Sequence, residues 1–429
     1  MSFRRKLLVA IPIVLLLAIA GCKVKTINYF PSHPASIRVI NLMPQAAGLD
    51  VQIGGQPAFS AIPFQSLTGY QSYDNAATSF TVNVTGSPTN TLSFNYNLAG
   101  EQPYTLLVYG SLDNMAASLL QEVASAPTNG NIQLSVFNAA VNQASVDIYV
   151  TAPGADITNL SPNYFNVLYN SISLNLALTP GTYQIRVTTQ GTKNVIYDSG
   201  GTVLTPNVAL SFIAYSKGSG VLVNAAMIQS QGPGGPLDNI YAQIKDLNGA
   251  SSVGPVNQLL GATTIVTNLA YTAASSYNLV GQGPATINFE ASATPGATIA
   301  STQATLGAGT DTSVFVTGVP GAQQAFALSD MNVPPAGGAV RLRFVNASWN
   351  SNPLNIAVNG VAQASAVAFP TASAYVELGA ATVSITFTDT TTSAVVLTLN
   401  NVVLTAGQTS TIYVIGPQGA VGGVLTQDN

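Results

Sequence analysis

Side chains able to do covalent chemistry are scarce in this sequence. Its 429 residues contain one cysteine, one histidine and one tryptophan, at Cys22, His33 and Trp349. Asp198-Ser199-Gly200-Gly201 has the residue types of an activated serine. Such a serine needs a general base within hydrogen-bond reach, and the sole histidine lies 166 residues away in sequence. The segment is therefore expected to form a turn. A single cysteine excludes cysteine-clustered metal sites. There is no phosphate-binding glycine loop, no Gly-x-Ser-x-Gly elbow and no zinc spacing. The 16 Asp+Glu are spread thinly, and a carboxylate pair for glycoside hydrolysis stays open on spacing alone. The expectation is a protein without enzymatic activity, cofactor or metal.

Cys22 has a distinctive setting. Arg4, Arg5 and Lys6 precede an apolar run from Leu7 to Ala20, and Ala20-Gly21 stand directly before the cysteine. A basic start, an apolar stretch and small residues at a cleavage point describe a secretory signal. A membrane-spanning helix needs ~20 apolar residues, whereas this run is shorter and carries Pro12. Ile19-Ala20-Gly21-Cys22 resembles the lipobox of bacterial lipoproteins. The resemblance implies diacylglycerol on the Cys22 thiol, cleavage before it and acylation of the new amino terminus. Two or more chains are needed for stable anchoring, at ~0.8 kcal/mol per buried CH₂. Lys23 in place of an aspartate implies, by the same resemblance, the outer membrane. The remaining alternative is an ordinary signal with a chance cysteine.

Composition narrows the rest. Charged residues make up 7% and hydrophobic residues 47%, against a typical charged fraction of ~25%. Burial is not limiting, so the chain should fold, with a surface made of Ser, Thr, Asn, Gln and Gly. Beyond Cys22 there remain 9 Lys+Arg against 16 Asp+Glu, a net charge of −7. The basic residues are dispersed, while a phosphate-binding surface needs them clustered, so nucleic acid is not an expected partner. The expected partners are the membrane, through the lipid on Cys22, and an envelope protein or polysaccharide.

A motif recurs four times. Ile37-Arg38-Val39-Ile40-Asn41 returns as Leu134–Asn138, Ile244–Asn248 and Leu342–Asn346. Nine positions after each asparagine stands Asp50, Asp147, Asn257 or Asn355. Near the end of each copy come Leu98, Leu204, Leu306 and Leu404, followed twelve positions later by Gly110, Ser216, Gly318 and Gly416. The gaps from asparagine to leucine are 57, 66, 58 and 58 residues, which places an insertion in copy two, at Thr151–Asn163. Fixed offsets at both ends mark tandem duplication.

Within each copy the hydrophobic period is two, as in Leu49, Val51 and Ile53 or Val383, Ile385 and Phe387. Such alternation predicts half-buried strands. Each copy has the size and rhythm of an immunoglobulin-like sandwich of about seven strands. The fold class expected is all-β: about four tandem immunoglobulin-like β-sandwiches after a lipoprotein signal peptide. The segments are 1–21 for the signal, 22–35 for a lipidated tether, then sandwiches at 36–125, 130–229, 239–331 and 339–429. Gly232-Pro233-Gly234-Gly235-Pro236 reads as a linker and Asn114–Val123 as the best candidate for a short helix. A rod or bent array of units is the expected arrangement.

Ile37–Asn41 followed by Leu49-Asp50-Val51-Gln52-Ile53-Gly54-Gly55 resembles domain of unknown function 4397, as does the fourth copy through Val345–Ser348 and Leu354–Gly360. The second copy matches less well, and the third departs most, with Asp246 at an apolar position. The resemblance implies a sandwich in a bacterial envelope setting and no reaction. Candidate loop or binding residues are Asn41, Asp50, Asn138, Asp147, Asn346 and Trp349, with Asn248 in the same series. Asparagine at a strand end more often bonds local backbone, and the aspartates are expected to be solvated or bonded to a neighbouring turn. Calcium between domains needs convergent oxygen ligands, and no acidic cluster flanks any linker. Trp349 is expected in a loop, covering the end of its own sandwich. The leading expectation is a structural, adhesive or scaffolding lipoprotein. A glycan-binding module and a carboxylate hydrolase are the alternatives.

Overall fold

A computed structural model describes residues 33–428 apart from 45, 47, 75, 88–90, 113, 124, 218–220, 332–334 and 336–338. Cys22, the signal segment and most of the tether lie outside the described residues. No helix occurs among the described residues, and eight sheets form four two-sheet sandwiches. In copy one the strands are β1 (Ala35–Leu42), β2 (Leu49–Ile53), β3 (Gln56–Ile62), β4 (Gln71–Tyr73), β5 (Ala77–Val84), β6 (Thr91–Asn97), β7 (Pro103–Ser111) and β8 (Asn114–Gln121). One sheet has the order β4-β1-β7-β8, the other β3-β2-β5-β6. β1 and β7 run parallel, in register from Ser36↔Pro103 to Leu42↔Tyr109, and every other pairing in the copy is antiparallel.

Copies three and four repeat this eight-strand order, around the parallel pairs Tyr241–Ala250/Asp311–Gly318 and Ala339–Trp349/Thr409–Pro417. Copy two differs. Its equivalent of β4 is split into Ser171–Ile172 and Leu176–Leu178, and an extra strand, Gly234–Leu237, pairs with Val223–Gln229 at the far edge. The segment expected as a linker thus belongs to a sheet. Gly234 approaches Leu67 of copy one and Ile228 so closely that a Cβ there would crowd both. The expected helix at Asn114–Val123 is instead β8: ladder pairing with β7 from Tyr104↔Gln121 to Ser111↔Asn114 overrides the helix propensity of Met-Ala-Ala-Ser-Leu-Leu. Asp198-Ser199-Gly200 is not a turn but lies inside the strand Val195–Leu204, at a register shift against Gly181–Thr189.

Each sandwich closes on its own core, in copy one on Val39, Leu49, Val51, Phe80, Val82, Leu106 and Val108. Burying one such side chain contributes ~1.5–3 kcal/mol. The two sheets of a copy differ in their burial. β5 alternates, with one face toward solvent, whereas all nine residues of β7 are buried. A strand covered on both faces reads as a continuous apolar run, as Tyr104–Tyr109 does. The second cover is another copy. Ile40, Leu42, Leu107 and Tyr109 of copy one form one cluster with Phe137, Ala139, Ile213 and Tyr215 of copy two. Leu247 and Phe315 of copy three do the same with Val345, Ala347, Tyr413 and Ile415 of copy four. The sandwiches are therefore not strung as isolated units: one packs back to back on two, and three on four.

In copies one, three and four the small residue near the copy's end is explained by the backbone. Gly110, Gly318 and Gly416 have φ of 99°, 119° and 90°. A Cβ at any of them would collide with the carbonyl of Asn114, Ala322 or Ala420.

Copy three carries a core defect. Asp246, fully buried, takes the place of Val39, Val136 and Phe344, and both its carboxylate oxygens lack a hydrogen-bond partner. Gln258, also fully buried and unpartnered, takes the place of Val51. Burial raises the Asp246 carboxyl to about 7. The folded state therefore holds a proton that the unfolded chain releases near pH 4. The resulting stabilisation is full below pH 4 and is lost as pH rises toward 7. The thermal midpoint of copy three should fall across that window, and Asp246→Val should remove the dependence and raise the midpoint at pH 7.5. An unchanged pH profile in scanning calorimetry of Asp246→Val would refute this.

Candidate binding surfaces

The recurrent asparagines are internal locks. Asn41, Asn138, Asn248 and Asn346 are at most 1% exposed. In each, the side-chain amide donates across the sandwich to the carbonyl of Ile62, Val167, Leu269 or Val367. Its oxygen accepts the backbone N–H two residues on. These bonds tie the inner sheet to the outer one, so the residues line no loop surface.

The second Asx of the motif fixes a bulge. Asp50, Asp147, Asn257 and Asn355 accept the backbone N–H of Ala61, Asn166, Asn268 and Ala366 at 2.7–2.9 Å. Those four donors have φ of 49–56°, a conformation non-glycine residues adopt at a cost. Asp147 also accepts from Gly191 N–H and is buried. Both aspartates are hydrogen-bonded, Asp147 out of solvent and Asp50 half-buried. Trp349 is the last residue of a strand rather than part of a loop, and its ring meets Phe369 edge-on at 5.8 Å. Phe369 in turn touches Phe326 of copy three, so the tryptophan caps the seam between two copies.

Buried charged groups stand at these seams. Five of the nine basic residues after Cys22 are buried: Arg38, Arg186, Lys245, Arg341 and Arg343. Arg38 Nε donates to Thr105 Oγ1 and Glu122 Oε1, both at 2.9 Å, and its guanidinium lies 4.7 Å from the Tyr70 ring centre. Nη1 and Nη2 reach across to the carbonyls of Gly232 and Gln229 in copy two. The same quartet of cation, tyrosine, hydroxyl and acid recurs as Lys245, Tyr277, Ser313 and Asp330 in copy three, and as Arg343, Tyr375, Thr411 and Asp428 in copy four. There the cations are exchanged. Lys245 pairs with Asp428 of copy four, and Arg343 with Asp330 of copy three at 2.6 Å. Such reciprocity is the mark of an isologous interface. Burial holds the Tyr70 and Tyr277 phenols well above their usual range, so they stay protonated and donate to Glu122 and Asp330.

Copy two has lost the quartet. The equivalent positions, set by the strand registers, are Ser135, Asn175, Ser211 and Ser230. All four line one cavity of about 190 Å³ at the seam, next to Gln121 and Glu122 of copy one. Through Ile172–Asn175 this slot continues into an open groove of about 430 Å³ between the edge strand Tyr164–Leu168 and the split strand. Phe165, Leu168, Ile172 and Leu174 stand 67%, 55%, 51% and 91% exposed along it. Sequence reasoning missed this groove. The signal lay in the copies' alignment: where Phe165, Leu168 and Leu174 stand, copy one has Ser60, Pro63 and Gly69, and copy four Ser365, Ala368 and Ala374.

No group of three or more His, Cys, Asp or Glu able to hold a metal occurs among the described residues. His33 pairs with Glu101, and the Ser199 hydroxyl bonds within its own strand pair, to Ile185 N–H and Gly200 O.

These assignments predict stability effects. Asn346→Ala strands a buried N–H and a buried C=O, at about 1–3 kcal/mol each, which urea denaturation should read as a lowered midpoint. Asp330→Leu leaves Arg343 as an uncompensated buried charge and should cost about 3–5 kcal/mol, with the double variant Asp330→Leu/Arg343→Met regaining most of it. A double variant as unstable as Asp330→Leu alone would show that the pair does not act as a unit.

No curated protein sequence matches the chain. Among solved structures, the chain is similar to the Bacillus anthracis TIE protein at 7% identity, covering 90% of this chain and 73% of that one, with a TM-score of 0.15. It is also similar to the pneumococcal glycogen-degrading virulence factor SpuA at 9% identity, covering 85% of this chain and 38% of that one, with a TM-score of 0.17. Scores this low carry no argument about function. A family model matches residues 35–149, 242–357 and 345–429, leaving out 150–241 of copy two, where the quartet is gone. With its asparagine locks and duplicated sandwiches matched over more than half its length, this chain belongs to the family described as domain of unknown function DUF4397.

Proposed function

We propose that this protein is a lipid-anchored component of the bacterial cell envelope. It acts without catalysis, as a structural, adhesive or scaffolding element held at the outer membrane by acyl chains on Cys22. The observation that carries this reading is where the charged groups go. Arg38, Lys245, Arg343, Glu122, Asp330 and Asp428 are all engaged in holding copies together, and the outer sheets present mainly hydroxyl, amide and aliphatic groups. Such a molecule is built to hold surfaces at fixed spacing. Leu17–Cys22 supports the anchor, because it combines an apolar signal with a cysteine at the cleavage point.

The anchor is tested by growing cells with an alkyne-tagged palmitate and fractionating the envelope. The wild-type chain should take up label and sediment with outer membrane, while Cys22→Ala should remain unlabelled and leave the membrane fraction. Label that persists in Cys22→Ala, or an unlabelled wild type, would overturn the anchoring. The role is tested by cross-linking in intact cells: a scaffold should join to one envelope protein, whereas no cross-link together with unaltered envelope integrity in a deletion strain would sink it.

A further inference from the structure

We propose that the groove of copy two is a docking site for an extended, uncharged peptide segment of a partner protein, which sets a tyrosine side chain into the slot lined by Ser135, Asn175, Ser211 and Ser230. The inference deepens the scaffolding role proposed above, and it does not depend on the lipid anchor.

The molecule supplies its own template for the occupant. In copies one, three and four the equivalent space is filled from within the chain, by Tyr70, Tyr277 or Tyr375 stacked against a cation at 4.7–4.8 Å. The phenols of Tyr70 and Tyr277 end on an acid of the same copy. In copy two the ring, the cation and the acid are replaced together by Asn175, Ser135 and Ser230, while the backbone frame is kept. Val136 N–H still bonds Ser173 Oγ, as Val39 N–H bonds Thr68 Oγ1 in copy one. What remains is about 190 Å³ of space at an established seam between copies, with serine hydroxyls and the Asn175 amide among aliphatic walls that include Val123, Leu174 and Leu210.

Charge decides which side chain fits. A lysine or arginine entering the slot would find a serine where its sister sites hold Glu122, Asp330 or Asp428. Glu122 itself, at the slot's edge, is already engaged by Arg38, Thr105 and Tyr70. A neutral phenol loses nothing from the missing acid and can exchange hydrogen bonds with serine hydroxyls. The outer groove is lined entirely by uncharged residues, so a charged segment would gain no counter-charge there. Its lip is aliphatic and aromatic: Leu168, Ile172 and Leu174 with Phe165. Large exposed side chains concentrated beside a sheet edge mark an interaction surface. Apolar peptide side chains cover leucines, while the hydroxyl-rich faces of a sugar do not.

The test uses the chain expressed without residues 1–22, with Ile and Leu methyl groups labelled for NMR. Acetyl-Leu-Tyr-Leu-amide should shift the methyl resonances of Leu168, Ile172 and Leu174 saturably, and acetyl-Leu-Phe-Leu-amide should bind at least fivefold more weakly. The triple substitution Ser135→Arg/Asn175→Tyr/Ser230→Glu, which restores the sister quartet, should abolish binding. Leu174→Ser alters only an exposed side chain and should weaken binding about tenfold in a folded protein. Several outcomes would overturn the assignment: no saturable shift at these methyls, equal binding of the phenylalanine peptide, or undiminished binding to the triple or Leu174→Ser variant. Maltoheptaose producing the same shifts at lower concentration would also overturn it, in favour of a glycan. An unlabelled Cys22 would remove the anchor and leave these results unaffected.

Discussion

The structure depends on one constraint: in four of its eight sheets the central strands have almost no face toward water. Each inner sheet must satisfy its own sandwich on one side and a second copy on the other. This is why β7 and its counterpart in copy three are buried along their whole length, those of copies two and four over most of theirs, and why their sequences lose the alternation that the outer strands keep. Apolar contact at the seam centre supplies attraction without direction. The buried quartets at its rim supply the direction, because an arginine or lysine taken out of water must meet its acid in one geometry. With few charges in the chain, placing Arg38, Lys245 and Arg343 there helps leave a surface of hydroxyls and amides.

Reciprocal exchange of Lys245 and Arg343 between copies three and four is the geometry of a two-fold dimer joined into one chain. The pair formed by copies one and two keeps half of that exchange. Arg38 still reaches across to Gln229 and Gly232, while the return contact has become a serine-lined slot. Copy two compensates elsewhere. Gly234–Leu237 adds a strand to its inner sheet, and Asn224 and Asn239 form a buried amide network that reaches Ala308 of copy three. A seam relieved of one charge cluster can thus diverge while its sheets stay docked.

Local chemistry explains which motif residues recur. The asparagine bridges two sheets with one short side chain, the following Asx holds a bulge in a conformation its own residue disfavours, and the terminal glycine admits a carbonyl that a Cβ would strike. Each solves a backbone problem of a strand end. That accounts for their fixed offsets and for the eight extra residues of copy two falling between Asp147 and Asn166, where the spacing is 19 rather than 11.

The amino-acid sequence by itself determined the repeat, the all-β class and the structural role of the asparagines, because offset and alternation are local properties that survive without partners. It misjudged Asn114–Val123, whose helix-favouring residues are overruled by the ladder with β7, and Gly232–Pro236, where Gly234 serves close packing and Gly234–Pro236 join a sheet instead of forming a hinge. Only the tertiary structure decided that copies pair back to back, that Arg38, Lys245 and Arg343 turn inward, and that Phe165, Leu168 and Leu174 line one groove. Those facts depend on which sheet face meets which, and a period of two shows that a strand has a buried face without naming what covers it.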